Sequence, residues 1–160
     1  MRDVTTIKFA KCLPTATIPT GREEDLGLDF YYFNQSQLQY TLEPHMVAKL
    51  STGIIMAMDK EYSMILKERS SLGSQGIALR AGVIDSGYRG EIIVCLENTT
   101  DKPYNLDLTQ AIAQGVLIPN PKKVIEEYTE EEIMTIDSER KDGGFGSTNG
   151  VKLPTDKKLH

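Results

Sequence analysis

The sequence predicts a largely β domain of the all-β class, and three observations carry that prediction. Short runs rich in Val, Ile, Tyr and Leu recur along the chain, turn-forming residues separate them, and only one segment carries a helix signal. The runs lie at 4–10, 38–42, 46–50, 62–67, 77–84, 91–96, 104–108, 113–118 and 124–128. The helix signal covers 129–136, where Thr129 stands three residues before Glu132 in the spacing of a capping box. Gly or Pro punctuates most of the rest. From Ser138 to the end the composition turns polar, glycine-rich and charged, which predicts an arm outside the core.

A chain of 160 residues with 39% hydrophobic content fits one compact domain with a core of its own. The net charge of −5 repels nucleic-acid phosphates, so no nucleic-acid partner is expected. No stretch approaches membrane-spanning length and the first residues hold no apolar core like that of a signal peptide. The expectation is therefore no membrane partner and a cytoplasmic location. Cys12 and Cys95 match neither a disulfide framework nor a zinc-site spacing, and are expected to be reduced, with Cys95 buried.

Five segments hold residues with chemistry. Gly27-Leu28-Asp29-Phe30 places a carboxylate among apolar strand residues, where it serves either as a surface group or as a partner for a hard cation. Arg69, Ser70, Ser71, Leu72 and Gly73 follow the 62–67 run with a guanidinium, two hydroxyls and turn amides. All are donors suited to an oxyanion, although a capped turn would look the same. A hairpin is expected between 77–84 and 91–96 through Asp85, Ser86, Gly87 and Tyr88. There Asp85 either caps the turn or is presented as a carboxylate beside an aromatic ring. Gln114, in an apolar run, needs a hydrogen-bond partner if buried, and neighbouring backbone would suffice. In the arm, Arg140 precedes Gly143, Gly144, Phe145, Gly146, Ser147 and Thr148, a donor-rich loop around one ring that can stack on a base. The acidic run from Glu126 to Glu132 reads as a solvated face, and His45 and His160 are isolated.

Taken together, in this order and spacing, the segments resemble the motifs of the trimeric deoxyuridine triphosphatase family from about Lys8 to Gly150. The strongest pieces are Gly82-Val83-Ile84-Asp85-Ser86-Gly87-Tyr88-Arg89-Gly90 and the arm; Arg69-Ser70-Ser71-Leu72-Gly73 and Ile112-Ala113-Gln114 support them. The resemblance implies a jelly-roll-like β-barrel or sandwich with a glycine-rich C-terminal arm. It divides the chain into a β core over 1–136, an arm over 137–150 that completes a neighbour's active site, and a disordered tail over 151–160. It also implies a homotrimer with shared sites that hydrolyses dUTP to dUMP and pyrophosphate, limiting uracil incorporation into DNA and supplying dUMP.

By the same resemblance, Asp85 activates the attacking water, Tyr88 packs on deoxyribose and excludes ribose, and Gly82 and Ile84 belong to the turn that reads uracil through its backbone. Arg69, Ser70, Ser71 and Gln114 hold the phosphate chain. Arg140, Gly146, Ser147 and Thr148 take the terminal phosphate while Phe145 stacks on the base, and Asp29 orients water around Mg2+. Asp25 competes with Asp29 for that last role. Three departures from the family pattern bear on the site: Glu68 where proline is common, Ala111 where arginine is usual, and Lys141-Asp142 after Arg140. A related dCTP deaminase would need a glutamate near Cys95, and Glu97 is the nearest; a regulatory protein partner, with the nucleotide as its switch, is the alternative of another class.

Overall fold

The computed structural model describes residues 5–35, 39–108 and 110–138. Within them the strands are β1 Lys8–Lys11, β2 Gly27–Tyr31, β3 Gln39–Leu42, β4 Val47–Ser51, β5 Ile54–Ala57, β6 Tyr62–Lys67, β7 Ile77–Arg80, β8 Val83–Ile84, β9 Ile93–Asn98, β10 Tyr104–Asp107 and β11 Ala111–Pro119. Two short helices, α1 Ser70–Gly73 and α2 Glu130–Thr135, complete the set. The chain separates into two compact units, Met1–Lys122 and Lys123–His160.

In the first unit one sheet runs β2-β11-β6-β8 and another β4-β9-β7, with β1 paired to β5 and β3 to β10. Every pairing is antiparallel. Alternation explains the layering: β4 buries Ala48 and Leu50 while Val47 and Lys49 face out. The buried residues of the two larger sheets, among them Phe30, Met64, Leu66 and Ile112 from one and Leu50, Ile77, Val94 and Leu96 from the other, share a single apolar cluster. This is the all-β, jelly-roll-like architecture expected. No helix among the described residues is long and apolar enough to cross a membrane.

Two close approaches fix the registers that matter below. Gly115 of β11 stands opposite Leu28 and Leu66, and a Cβ there would come within 2.5 Å of Met64 Sδ and 2.7 Å of Phe30 Cε2. Only hydrogen fits. Asn98, fully buried at the end of β9, donates through Nδ2 to Leu42 O at 2.9 Å and Lys102 O at 2.7 Å, and accepts from Thr100 N at 3.0 Å. It thus ties the β9–β10 turn to β3.

Several expectations need correction. The 77–84 run is not one strand: β7 pairs with β9, whereas β8 leaves that sheet to pair with β6. The break falls at Ala81 and Gly82, both in positive-φ backbone (62° and 117°), so the predicted hairpin opens into a bridge between sheets. Cys95 is half-buried rather than buried, because Val94 and Leu96 take the inward positions of β9 and leave it on the other face. The 4–10 run gives β1, shifted to Lys8–Lys11; β2 forms where Asp29 is expected among apolar strand residues, and β5 arises where no strand was expected. In the second unit 124–128 forms no strand, for among its described residues none offers an edge to pair with. The helix signal is met by α2, whose Thr129 side chain accepts from Glu132 N while the Glu132 carboxylate accepts from Thr129 N at 2.8 Å.

Candidate active site

Register brings the first group of site residues together. Gln114 of β11 pairs with Asp29 of β2 on one side and Lys67 of β6 on the other. Two residues beyond Lys67, the chain turns into α1 with Arg69 as its N-cap. Three adjacent strands therefore deliver a carboxylate, an amide and a guanidinium side by side. Arg69 Nε stands 3.1 Å from Asp29 Oδ1 in a half-buried ion pair, and Gln114 Nε2 donates to Glu68 O at 2.8 Å. Gly27 leaves room for that amide, since a Cβ on it would lie 2.8 Å from Gln114 Oε1 and displace the side chain. These groups and Ser70 line a cleft of about 380 Å³. Ser71 does not; it is exposed, and its carbonyl accepts from Gln75 Nε2 at 2.7 Å.

The 22–26 segment adds charges to this cleft that sequence reasoning missed, apart from the competing Asp25. Arg22 and Glu24 line it, and Arg22 pairs with Asp25 at 3.2 Å. Hydrogen bonds from the Arg22 backbone N–H, then from its side chain, hold the Asp25 carboxyl below the usual carboxylate range. Nothing in a Gly-Arg-Glu-Glu-Asp stretch marks it as more than surface loop.

Glu68 could have spoiled an anion site, but its charge is engaged elsewhere. Its own backbone N–H foremost, then Leu79 N–H and the Lys67 ammonium at 3.5 Å, lower its carboxyl pKa against the opposing effect of partial burial. Glu68 lines the neighbouring cleft over Ile77 and Ala78, not the one holding Asp29. Ala111 is buried at the start of β11 opposite Tyr31.

The second group surrounds the Asp85 turn. Gly82, Ile84, Asp85 and Tyr88, with Leu66 and Glu91, line a smaller cleft of about 200 Å³. Its floor is fixed by Leu66 N donating to Gly82 O at 2.8 Å, and a Cβ on Gly82 would meet Leu66 O at 3.1 Å. The turn closes through Tyr88 N to Asp85 O at 3.0 Å, and Arg89 Nη1 braces it by donating to Ser86 O at 2.6 Å and Tyr88 O at 2.8 Å. The Asp85 side chain is exposed and makes no hydrogen bond among the described residues. Here the structure places a turn cap in the backbone and leaves the carboxylate available. Glu97, on the strand after the turn, is ion-paired with Arg80 and, like Cys95, lines neither cleft.

The two clefts share no residue within one chain. Arg140, Phe145, Gly146, Ser147 and Thr148 lie outside the described residues. No group of three or more His, Cys, Asp or Glu side chains among the described residues could cage a metal ion. Magnesium, however, keeps several waters and needs only one or two carboxylates beside substrate phosphates. Asp29, with one oxygen on Arg69 and partial exposure, fits that outer role.

Comparison with known proteins agrees with this geometry. A dUTPase family model matches residues 14–149, which span both clefts. The deoxyuridine 5'-triphosphate nucleotidohydrolase of Helicobacter pylori is 34% identical over 150 residues, covering 91% of this chain and 98% of that protein. Its counterpart from Cutibacterium acnes is 32% identical over 155 residues and covers 94% of each. Among solved structures, a Staphylococcus bacteriophage 80alpha dUTPase variant with dUpNHpp superposes with a TM-score of 0.77 at 22% identity, covering 89% of this chain and 98% of that one. The dUTPase from phage phi11 of S. aureus gives 0.70 at 19%, covering 78% and 97%. Those two likenesses establish the fold. With the family model running through both clefts and relatives a third identical along nearly their whole length, the chain belongs to the dUTPase family.

Proposed function

We propose that this protein hydrolyses dUTP to dUMP and pyrophosphate, as a homotrimer whose sites join the Asp29–Arg69–Gln114 cleft of one copy to the Asp85–Tyr88 cleft of another. The observation that carries the reading is the division of chemistry between the clefts. One is rich in charge and donors, as a triphosphate requires; the other is small, built on backbone and one ring, as a nucleoside requires. A single chain holds them without a shared residue, and in the proposed trimer a neighbouring copy brings Asp85 to the phosphates.

Phosphoryl transfer asks mainly for positioning and for neutralising charge on the phosphate oxygens. Asp29 holds Arg69 at Nε, and the guanidinium fork would take phosphate oxygens through its Nη groups. Ser70 adds a hydroxyl, and the Gln114 amide is held against Glu68 O. Asp85 takes a proton from water as the water oxygen bonds the α-phosphorus. The bond to the α–β bridging oxygen breaks, and its electron pair leaves with pyrophosphate. Asp29 would hold magnesium through a water, and the ion would supply charge neutralisation on the phosphate oxygens. The Gly82–Ile84 backbone reads uracil in a space too small for the thymine methyl. The arm adds Arg140, Ser147 and Thr148 to the terminal phosphate and Phe145 to the base, and its closure excludes water.

The test is to incubate the full chain with each deoxynucleoside triphosphate and magnesium and to measure pyrophosphate. Release confined to dUTP is the expected outcome; equal hydrolysis of dTTP, or ammonia from dCTP, would sink the reading.

A further inference from the structure

Glu91 has no task in the mechanism above, yet it is among the most tightly held acids of the turn region. Its Oε1 accepts from Ser51 Oγ and, at 2.7 Å, from Gly53 N, which pins it to the turn between β4 and β5. That turn is stiff. Gly53 has φ 67°, and a Cβ on it would lie 2.6 Å from Ala16 Cβ. Thr52, 1% exposed, donates to Ile92 O at 2.7 Å, and Ile92 N donates to Ile54 O at 2.8 Å, so the next residue is fastened to the same turn.

On the other side, Glu91 holds Tyr88. The tyrosine hydroxyl donates to Glu91 O at 3.0 Å. The ring folds back across Gly90 so closely that a Cβ there would stand 2.6 Å from its Cζ and 3.0 Å from its Cε2, besides meeting its Oη. Tyr88 is otherwise 46% exposed. A chain of contacts thus runs from the β4–β5 turn through the Glu91 carboxylate and carbonyl to the Tyr88 hydroxyl, with Gly90 as the bare surface on which the ring lies.

We propose that Glu91, together with Gly90, is a positioning residue that sets where the Tyr88 ring stands and thereby fixes discrimination between 2′-deoxyribose and ribose. The inference rests on the reading that Tyr88 packs against the sugar. Rejecting one added hydroxyl by steric contact is a demanding task, since apolar surfaces discriminate such analogues by only about a hundredfold even when well placed. A ring free to move by about half an ångström or more loses much of that contact. Glu91 therefore acts through Tyr88 rather than on the substrate, and its two accepted hydrogen bonds argue against a proton-transfer role.

The experiment measures kcat and KM for dUTP and UTP with the full chain. Glu91→Ala is expected to lower the dUTP-over-UTP ratio of kcat/KM by roughly tenfold or more, with KM for dUTP rising more than kcat falls. Glu91→Gln keeps an Oε1 acceptor for Ser51 and Gly53, so it recovers most of the ratio. Gly90→Ala leaves the Glu91 bonds in place and meets only the far end of a side chain that can swing aside, so it folds and lowers the ratio through the ring alone. A residue that merely braced the turn would depress both nucleotides equally. If folded Glu91→Ala and Gly90→Ala keep the wild-type ratio while Tyr88→Ala loses it, this inference fails and the sugar reading stands. If Tyr88→Ala also keeps the ratio, or the wild type does not discriminate, the sugar reading fails and takes this inference with it. Should Glu91→Ala not fold, Gly90→Ala decides.

Discussion

Asp85 and Asp29 show how differently one residue type can be held, and the proposed tasks follow that difference. Asp29 is half-buried with an arginine on one oxygen, whereas Asp85 is exposed at a turn with its carboxylate unengaged among the described residues. Asp85→Asn keeps the shape of the turn, whose closing bond uses only backbone, and removes the proton acceptor. It should lower kcat by about a hundredfold or more while dUTP still binds, as calorimetry would show; turnover near the wild-type rate would remove Asp85 from the mechanism. Gly82→Ala tests the floor of the same cleft. With φ 117° and Leu66 O 3.1 Å from the added carbon, it should cost roughly 1–3 kcal/mol of stability and weaken dUTP binding, measured by denaturant unfolding and by KM. Residues of this kind were legible in the sequence to different degrees. The 82–90 motif was legible through its resemblance to the family pattern, since spacing alone reads Asp85 as a turn cap. Glu91 could not, since an acid after a glycine looks like surface, and its partners Ser51 and Gly53 are about forty positions away.

At the scale of elements, periodicity located most strands but not where they change partners. The break at Ala81 and Gly82 has only Gly82 to announce it, because an alanine at φ 62° carries no sequence signature. β2 stands apart from the recurrent apolar runs because Gly27 and Asp29, which both line the cleft, dilute its apolar signal. Junctions hold through buried polar groups. Asn98→Ala would remove the bonds to Leu42 O and Lys102 O and the one from Thr100 N, so urea unfolding should show a loss of about 2–4 kcal/mol, and a change under about 0.5 kcal/mol would show the junction to be dispensable. The cap of α2 was legible from Thr129 and Glu132 alone, and its pH behaviour follows. Hydrogen bonds from the Thr129 backbone and then its hydroxyl lower the Glu132 pKa below its ordinary value of 4.5. The cap's contribution is therefore complete above that value and disappears as pH falls through the lower folded one. The Thr129 amide resonance should titrate in that acid window while core signals stay fixed, and Thr129→Ala should move the Glu132 midpoint back up.

For the whole molecule, the proposed joining of two half-sites from different copies would make activity a property of the assembly. Arg69→Ala and Asp85→Asn proteins should each be nearly inactive, yet co-refolded mixtures should regain a fraction of wild-type turnover, because some hybrid sites draw both intact halves from different copies. Mixtures no more active than their components would mean that each site comes from one chain, and sedimentation of the wild type should give about three times the 17.8 kDa chain mass. The glycine next to Gln114 has a consequence at this scale too. Sliding β11 by one place would push the glutamine amide into the gap between a thioether and a phenyl ring that excludes even a methyl group. Misaligned chains are thus rejected by sterics in the interior before any nucleotide arrives, so the core proofreads the catalyst.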